Sequence, residues 1–330
     1  MKRRQLGRTG LSVSEICFGT LNFGWSVGEN QAWALLDAYR AAGGNFIQRS
    51  AVSHAGGALP IAAGASEDYV GRWWQDRGIP REELFLATRI VVQNARPHGA
   101  STLESYIRQS CEASLRRLRT DHLDLLLIEW SETLPLIDDI LFVLSRLKRA
   151  GMVRYLGASG FPAWRLMESI HRSVQRNTER FEVLQADYSL LANTRSQRDQ
   201  LHLCRDYRLG FLARSPLAGG LLVGDDKRSA LSLQRTRRLR GQYAGADVAV
   251  LRAALADIAE SRNLTLAQTA LAWVLTDSTV TAPVIGVSTV EHLQPLLDAA
   301  STGLTTQDFS AVYGSSAELS VAPTSTLNLA

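Results

Sequence analysis

The sequence predicts a closed (β/α)8 barrel, and three observations carry that prediction. Short apolar segments alternate with amphipathic helical ones from end to end. Eight such strand–helix pairs can be counted, and 330 residues suit one barrel of this kind. A doubly wound sheet more often stops at about five or six strands.

Arg4 to Val13 reads as a small hairpin ahead of the first barrel strand, Ile16 to Thr20. Glu29 to Ala42 is an amphipathic helix that Gly43-Gly44 stops as a C-cap glycine should. Asn45 to Gln48 is a second buried strand running into a polar loop, Arg49 to Gly57. Ser66 is read as the cap of a helix that opens on Glu67 and Asp68, acidic residues favourable to the helix dipole. Leu84 to Arg89 is the third strand, and Ser101-Thr102-Leu103-Glu104 has the pattern of a capping box for a long helix through Leu118. Leu123 to Ile128 is the most apolar strand and gives way abruptly to Glu129.

The second half keeps the alternation: strands Val153 to Ala158, Val183 to Asp187, Gly210 to Arg214 and Val280 to Ile285. The intervening helices are Leu136 to Ala150, Pro162 to Gln175, Ser196 to Tyr207, Ala249 to Ser261, Leu266 to Thr276 and Val290 to Ala300. Residues 217–247 interrupt the rhythm with glycines and arginines and read as an insertion over one barrel face. Residues 301–330, without Lys or Arg, read as an irregular C-terminal tail. Residues 1–330 are therefore read as a single barrel domain.

Composition bounds the function classes. A hydrophobic content of 45% with 21% charged residues is that of a soluble globular chain, and the net charge of +4 is small for its length. The one dense basic run, Arg235 to Arg240, has only Tyr243 as an aromatic neighbour, which argues for a solvated loop and against nucleic-acid binding. No apolar run approaches the roughly 20 residues that cross a bilayer. The three cysteines, Cys17, Cys111 and Cys204, lie far apart and lack metal-ligand spacing. They are expected to be free buried thiols in a cytoplasmic protein that holds no metal. A small-molecule substrate is the expected partner, and homo-oligomerisation is left open.

In such a barrel, chemistry gathers at the strands' carboxyl ends. Those ends supply Gly19 and Thr20, Gln48 with Ser53 and His54, Arg89, Glu129, Ser159 and Gly160, Gln185 with Tyr188, and Arg214 with Ser215. Glu129 beside Arg89 reads either as a structural ion pair plugging the barrel top or as an acid/base poised by a guanidinium, since an unpaired buried charge is costly. Arg214 adds a second positive charge and Arg49 a third, so Arg214, Arg49 and Tyr188 are candidate substrate-binding residues. With one carboxylate among so many donors, an anionic or enolisable substrate is expected.

The chain resembles the aldo-keto reductases along nearly its whole length. Leu6 to Leu11, Phe18-Gly19-Thr20, Leu115 to Asp121, Gly151 to Gly157, Gln185 to Leu191, Ser215 to Gly220 and Ile285-Gly286 carry the likeness. The resemblance implies a (β/α)8 barrel that binds NADPH without a Rossmann motif and reduces carbonyls by hydride transfer. It also implies an Asp and a proton-donating Tyr where Gln48 and Ser53 stand, a Lys at Arg89 and a His at Glu129. A serine hydroxyl is far less acidic than a phenol, and arginine holds its proton where lysine yields it. Of the implied cofactor contacts, Gly19, Thr20, Ser159, Gln185, Ser215, Leu217 and Gly219 are kept. An Asn is replaced by Gly160, the ring-stacking Tyr by Arg214, and the adenine clamp by Pro295-Leu296, with His292 the one basic residue near the place of the 2′-phosphate contacts.

These replacements point to a barrel repurposed for non-redox acid/base chemistry of dehydratase, isomerase or cyclase type. Glu129 would be its acid or base, Arg89 and Arg214 its electrophilic stabilisers, and Gln48, Ser53 and His54 its orienting shell. On this reading no cofactor is required, and NADP(H) meets an eroded site. Two alternatives stay open: a pseudoenzyme that binds a nucleotide or another ligand, and an NADPH-dependent carbonyl reductase with an unorthodox proton donor.

Overall fold

A sheet whose strands are all parallel must be covered by helices on its outside, and here it also closes on itself. The computed structural model describes residues 1–49, 64–92, 103–132, 136–224, 243, 248–310 and 312. Two short strands come first, β1 (Arg3–Gln5) and β2 (Ser12–Ser14), paired antiparallel as the expected hairpin. The barrel strands follow: β3 (Cys17–Gly19), β4 (Phe46–Gln48), β5 (Phe85–Val91), β6 (Leu123–Glu129), β7 (Val153–Ser159), β8 (Val183–Asp187), β9 (Gly210–Arg214) and β10 (Val280–Ile285). They close in that order, with β10 pairing back onto β3.

Around them run α1 (Glu29–Ala41), α2 (Ala65–Asp76), α3 (Leu103–Leu118), α4 (Ile137–Arg149), α5 (Ala163–Arg176), α6 (Arg195–Asp206), α7 (Val248–Arg262), α8 (Leu266–Thr276) and α9 (Val290–Asp298). The (β/α)8 expectation therefore holds. β5 runs two residues beyond the expected end, so Arg89 lies inside the strand and not at its tip.

Because successive strand residues face opposite sides, the barrel has two cores. Phe46, Phe85, Ala87, Leu125, Leu127, Val183, Leu212 and Ala282 fill the interior, with Leu6 and Val13 packed into the same cluster from the hairpin side. Their strand neighbours, among them Ile47, Leu86, Leu126, Ile128, Leu184 and Phe211, face outward and meet the helices. A hydrophobic run unbroken by polar residues, as in Leu125-Leu126-Leu127-Ile128, is what a strand buried on both faces needs.

Several local expectations are corrected. Ser66 does not cap α2: the cap position is Gly64 in the left-handed region (φ 99°), and Ser66 lies within the first turn, its hydroxyl 2.5 Å from that of Thr20. Residues 301–330 are not irregular throughout, since Thr306–Phe309 forms a 3-10 turn and Phe309 and Val312 are fully buried. Of the insertion at 217–247, Ala218, Leu222 and Tyr243 are buried, while the basic run at 235–240 lies outside the described residues. Ser101 and Thr102 lie outside them too. All three cysteines are free and buried.

The turn after α1 shows why two glycines stand there. Gly43 takes the left-handed conformation (φ 86°) that ends the helix. Gly44 lies under the ring of Tyr39, where a Cβ would fall 2.3 Å from the nearest ring atom. Tyr39 is fully buried, and its hydroxyl is bonded among Ser14, Ile16 and Phe46, so the ring has nowhere to go. Gly28, by contrast, has no heavy atom within 4 Å of such a Cβ. Gly44→Ala should destabilise the fold by about 1–3 kcal/mol through overpacking, and Gly28→Ala should stay within about 0.5 kcal/mol. Urea midpoints of the two variants check this, and equal midpoints would refute it.

Candidate active site

The inward alternation that builds the lower core places a polar layer above it. Gln48, Arg89, Glu129, Ser159, Gln185, Asp187 and Arg214 all have inward parity. Gln48, Gln185 and Ser159 are shut off from solvent. β4 and β8 stand diametrically opposite in the barrel order, yet their glutamines meet across the interior. Gln185 Nε2 donates to Gln48 Oε1 at 2.6 Å, and Gln48 Nε2 donates to Gln185 Oε1 at 3.1 Å. This closed amide pair is a floor that satisfies both groups in an otherwise apolar shaft.

Above the floor lies a four-charge cluster. Arg89 Nη1 is 2.6 Å from Glu129 Oε2, and Arg214 Nη1 is 3.3 Å from Glu129 Oε1. Arg214 also grips Asp187 with two donors, Nε to Oδ1 at 2.7 Å and Nη2 to Oδ2 at 3.1 Å. That bidentate fork fixes the guanidinium plane. Ser159 Oγ lies 2.8 Å from Glu129 Oε2 and 3.3 Å from Gln185 Oε1; its single proton serves the closer carboxylate.

Burial pulls the Arg89 guanidinium below its ordinary range, with Glu129 opposing. For Arg214 burial acts in the same direction, but Asp187 and then Glu129 outweigh it and its affinity for the proton is raised. Both guanidiniums are thus cations held by carboxylates, two charges against two.

Asp187 was absent from the residues singled out by sequence, although it ends a recognised strand. Its signal is parity: it stands two residues from Gln185 and so shares its face, whereas Tyr188 does not. The structure corrects the placement of Tyr188 accordingly. It is 1% exposed, stacks on Trp273 at 5.1 Å between ring centroids and reaches Asp277 with its hydroxyl at 3.4 Å, outside the barrel. Arg49 is corrected in the same way: next to inward Gln48, it turns outward and meets Glu67 of α2 at 3.5 Å. Glu67 itself is fully buried and is held by Arg117 and Thr88 as well.

Ser53 and His54 lie outside the described residues. Gly19 and Thr20 are where expected, at the end of β3. Thr20 N–H continues the pairing to the Gln48 carbonyl at 3.0 Å, and a Cβ on Gly19 would crowd Val284 and the Ile285 carbonyl. Gly160 has φ +70°, and a Cβ there would meet Glu129, Trp130 and Arg214 only at ordinary contact distance. After β9 the backbone is strained at Ser215 (φ 53°) and Ala218 (φ 48°), while Gly219 (φ 63°) and Gly220 (φ 93°) take positive φ without strain. Non-glycine residues in this region cost on the order of 1–3 kcal/mol each, and such strain gathers at ligand loops. Among the described residues no group of His, Cys, Asp and Glu is arranged to hold a metal.

The charge cluster makes a stability prediction. Glu129→Gln leaves Arg89 without its carboxylate, and the loss should be roughly 2–3 kcal/mol. That is below the roughly 3–5 kcal/mol of a wholly buried pair, because the Glu129 side chain keeps 21% of its surface exposed. Adding Arg89→Met should recover at least half. Urea denaturation of the single and double variants tests it, and a double variant less stable than the single would overturn it.

Comparison with known proteins places this geometry. The family model described as "Aldo/keto reductase family" matches residues 15–316. The uncharacterized oxidoreductase YrpG of Bacillus subtilis is 33% identical over 323 residues, covering 92% of each chain. Norsolorinic acid reductase B of Aspergillus parasiticus is 29% identical over 321 residues, covering 92% of this chain and 80% of its own. A probable voltage-gated potassium channel subunit beta of Arabidopsis thaliana is 25% identical over 306 residues, covering 91% of each. These matches overturn the expectation that no cofactor is required, because the reductases and oxidoreductases of this family depend on NAD(P)H. The chain belongs to the aldo/keto reductase family.

Proposed function

We propose that this protein is an NAD(P)H-dependent carbonyl reductase whose polar layer departs from the pattern its family resemblance implies. The observation that carries this reading is the charge balance at the barrel mouth. An arginine where a ring-stacking tyrosine is implied would oppose the positive charge of an oxidised nicotinamide, but Arg214 is cancelled by Asp187 and shares Glu129 with Arg89. What remains is a flat, neutralised guanidinium face, and such a face stacks on planar rings.

The residues present fit the cofactor at two further points. The strained backbone from Ser215 to Gly220, which includes Leu217 and Gly219, is a loop suited to a pyrophosphate. Ser159 and Gln185, already bonded to Glu129 and Gln48, make a polar floor from which water is excluded and on which the cofactor would rest. When bound, the cofactor supplies a hydride to a carbonyl carbon.

The chain's own residues orient and exclude. Glu129 fixes both guanidiniums, and Gln48 with Gln185 closes the shaft below. Glu129 is not assigned the proton, since its partners Arg89, Ser159 and Arg214 are all donors, the surroundings of an acceptor-only carboxylate. For the same reason non-redox acid/base chemistry at Glu129 is not carried forward.

The purified protein should bind NADPH or NADH with quenching of tryptophan fluorescence and oxidise it in the presence of at least one member of a panel of aldehydes and ketones. Failure to bind either nucleotide would refute the reading. Asp187→Asn tests the charge argument directly. It leaves an uncancelled guanidinium against the ring, so the ratio of Kd for oxidised to reduced cofactor should rise roughly tenfold. That corresponds to about 1.4 kcal/mol, between the roughly 1 kcal/mol of two unit charges in close contact in bulk water and the roughly 4 kcal/mol near a protein surface. An unchanged ratio would sink it.

A further inference from the structure

One buried phenol takes no part in the site as built so far. Tyr243 comes from the segment between β9 and α7, and its ring joins the main hydrophobic cluster with 9% of its surface exposed. Its hydroxyl oxygen is shut off from solvent and has no hydrogen-bond partner among the described residues. The segment that carries it leaves the carboxyl end of β9, whose last residue, Arg214, stands in the polar layer, and Asp187 and Arg214 are the charges within electrostatic reach of the phenol.

An orphaned hydroxyl is a cost that phenylalanine, with nearly the same shape, would avoid. It is recovered if a bound molecule brings the acceptor. Burial pushes the phenol up to about 12, Asp187 adding to the rise and Arg214 opposing it. The hydroxyl therefore keeps its proton at any working pH and acts as a donor. Asp187 disfavours an anionic acceptor beside it, so the molecule that fits is uncharged.

We propose that the Tyr243 hydroxyl donates a hydrogen bond to the carbonyl oxygen of an uncharged aldehyde or ketone bound at the barrel mouth. The choice of carbonyl rests on the reductase reading, and the cofactor's own carboxamide oxygen has the same chemistry, so the experiment separates the two.

Tyr243→Phe is compared with wild type by three measurements: the melting temperature without ligand, the Kd of 4-nitroacetophenone, and the Kd of NADPH, both constants read by tryptophan fluorescence. The expected result is a melting temperature equal to or above wild type, because the variant loses only an unpaired group. Ketone binding should weaken about three- to tenfold, the effect of one neutral hydrogen bond, while NADPH affinity stays within about twofold. Any of three results would overturn the proposal: a melting temperature lowered by several degrees, ketone affinity unchanged or undetectable in wild type, or a loss confined to NADPH. A chain that binds the ketone through Tyr243 yet never oxidises NADPH would sink the reductase reading and keep this one. A chain that reduces the ketone as well with phenylalanine at 243 would do the reverse.

Discussion

A strand in a closed barrel can show only every second side chain to the interior, and this constraint decides what the protein can do. Eight strands closed in sequence order turn that alternation into layers. The lower layers are apolar, from Phe46, Phe85, Leu125, Leu127, Val183 and Leu212. The uppermost is polar because Gln48, Arg89, Glu129, Ser159, Gln185, Asp187 and Arg214 share the same parity as the apolar residues below them. A residue of opposite parity is sent to the helices however attractive its chemistry. Tyr188 and Arg49 went that way, one onto Trp273 and the other to Glu67.

The barrel was legible in the chain because each strand is short, apolar on both faces and bounded by glycine or polar residues. Ion pairing of Arg89 with Glu129 was legible for a related reason, since neighbouring strands delivering opposite charges have few ways to be buried except together. Asp187 was less legible although it ends a well-bounded strand, because its residue type is ordinary at a strand end and only the two-residue repeat joins it to the face of Gln185. Tyr243 carried no local signal at all. It reaches the core from a segment rich in glycine and arginine, and only the folded chain brings it within electrostatic reach of Asp187 and Arg214. Ser66 misled for the opposite reason: a serine before acidic residues is a strong cap pattern, but Gly64 could take the left-handed geometry and Ser66 had a partner in Thr20.

Counting charges at the mouth changes the chemistry that follows. One carboxylate among several guanidiniums suggested a site hungry for anions. Two carboxylates against two guanidiniums is a self-satisfied group, in which each charge is offset by contacts of 2.6 to 3.3 Å. A carboxylate so placed has little freedom to move a proton, and a guanidinium so placed has little attraction left for a free anion. What the cluster does offer is rigidity and a neutral face, both suited to a flat ring that alternates between neutral and cationic forms. Membership of the aldo/keto reductase family was legible in the residue motifs; it was the replaced residues of the polar layer that had argued for non-redox chemistry.

The amide bridge between Gln48 and Gln185 explains how the residues of such a layer can vary without loss of the fold. It separates the shaft that holds the strands together from the groups that meet a ligand. Above that line the charged residues satisfy one another, Arg89 with Glu129 and Arg214 with Asp187, as the two glutamines do along it. Any one of them introduced alone would have left a buried polar or charged group unpaired, at a cost of several kcal/mol for a charge. These side chains are therefore coupled, and their identities make physical sense only as a set.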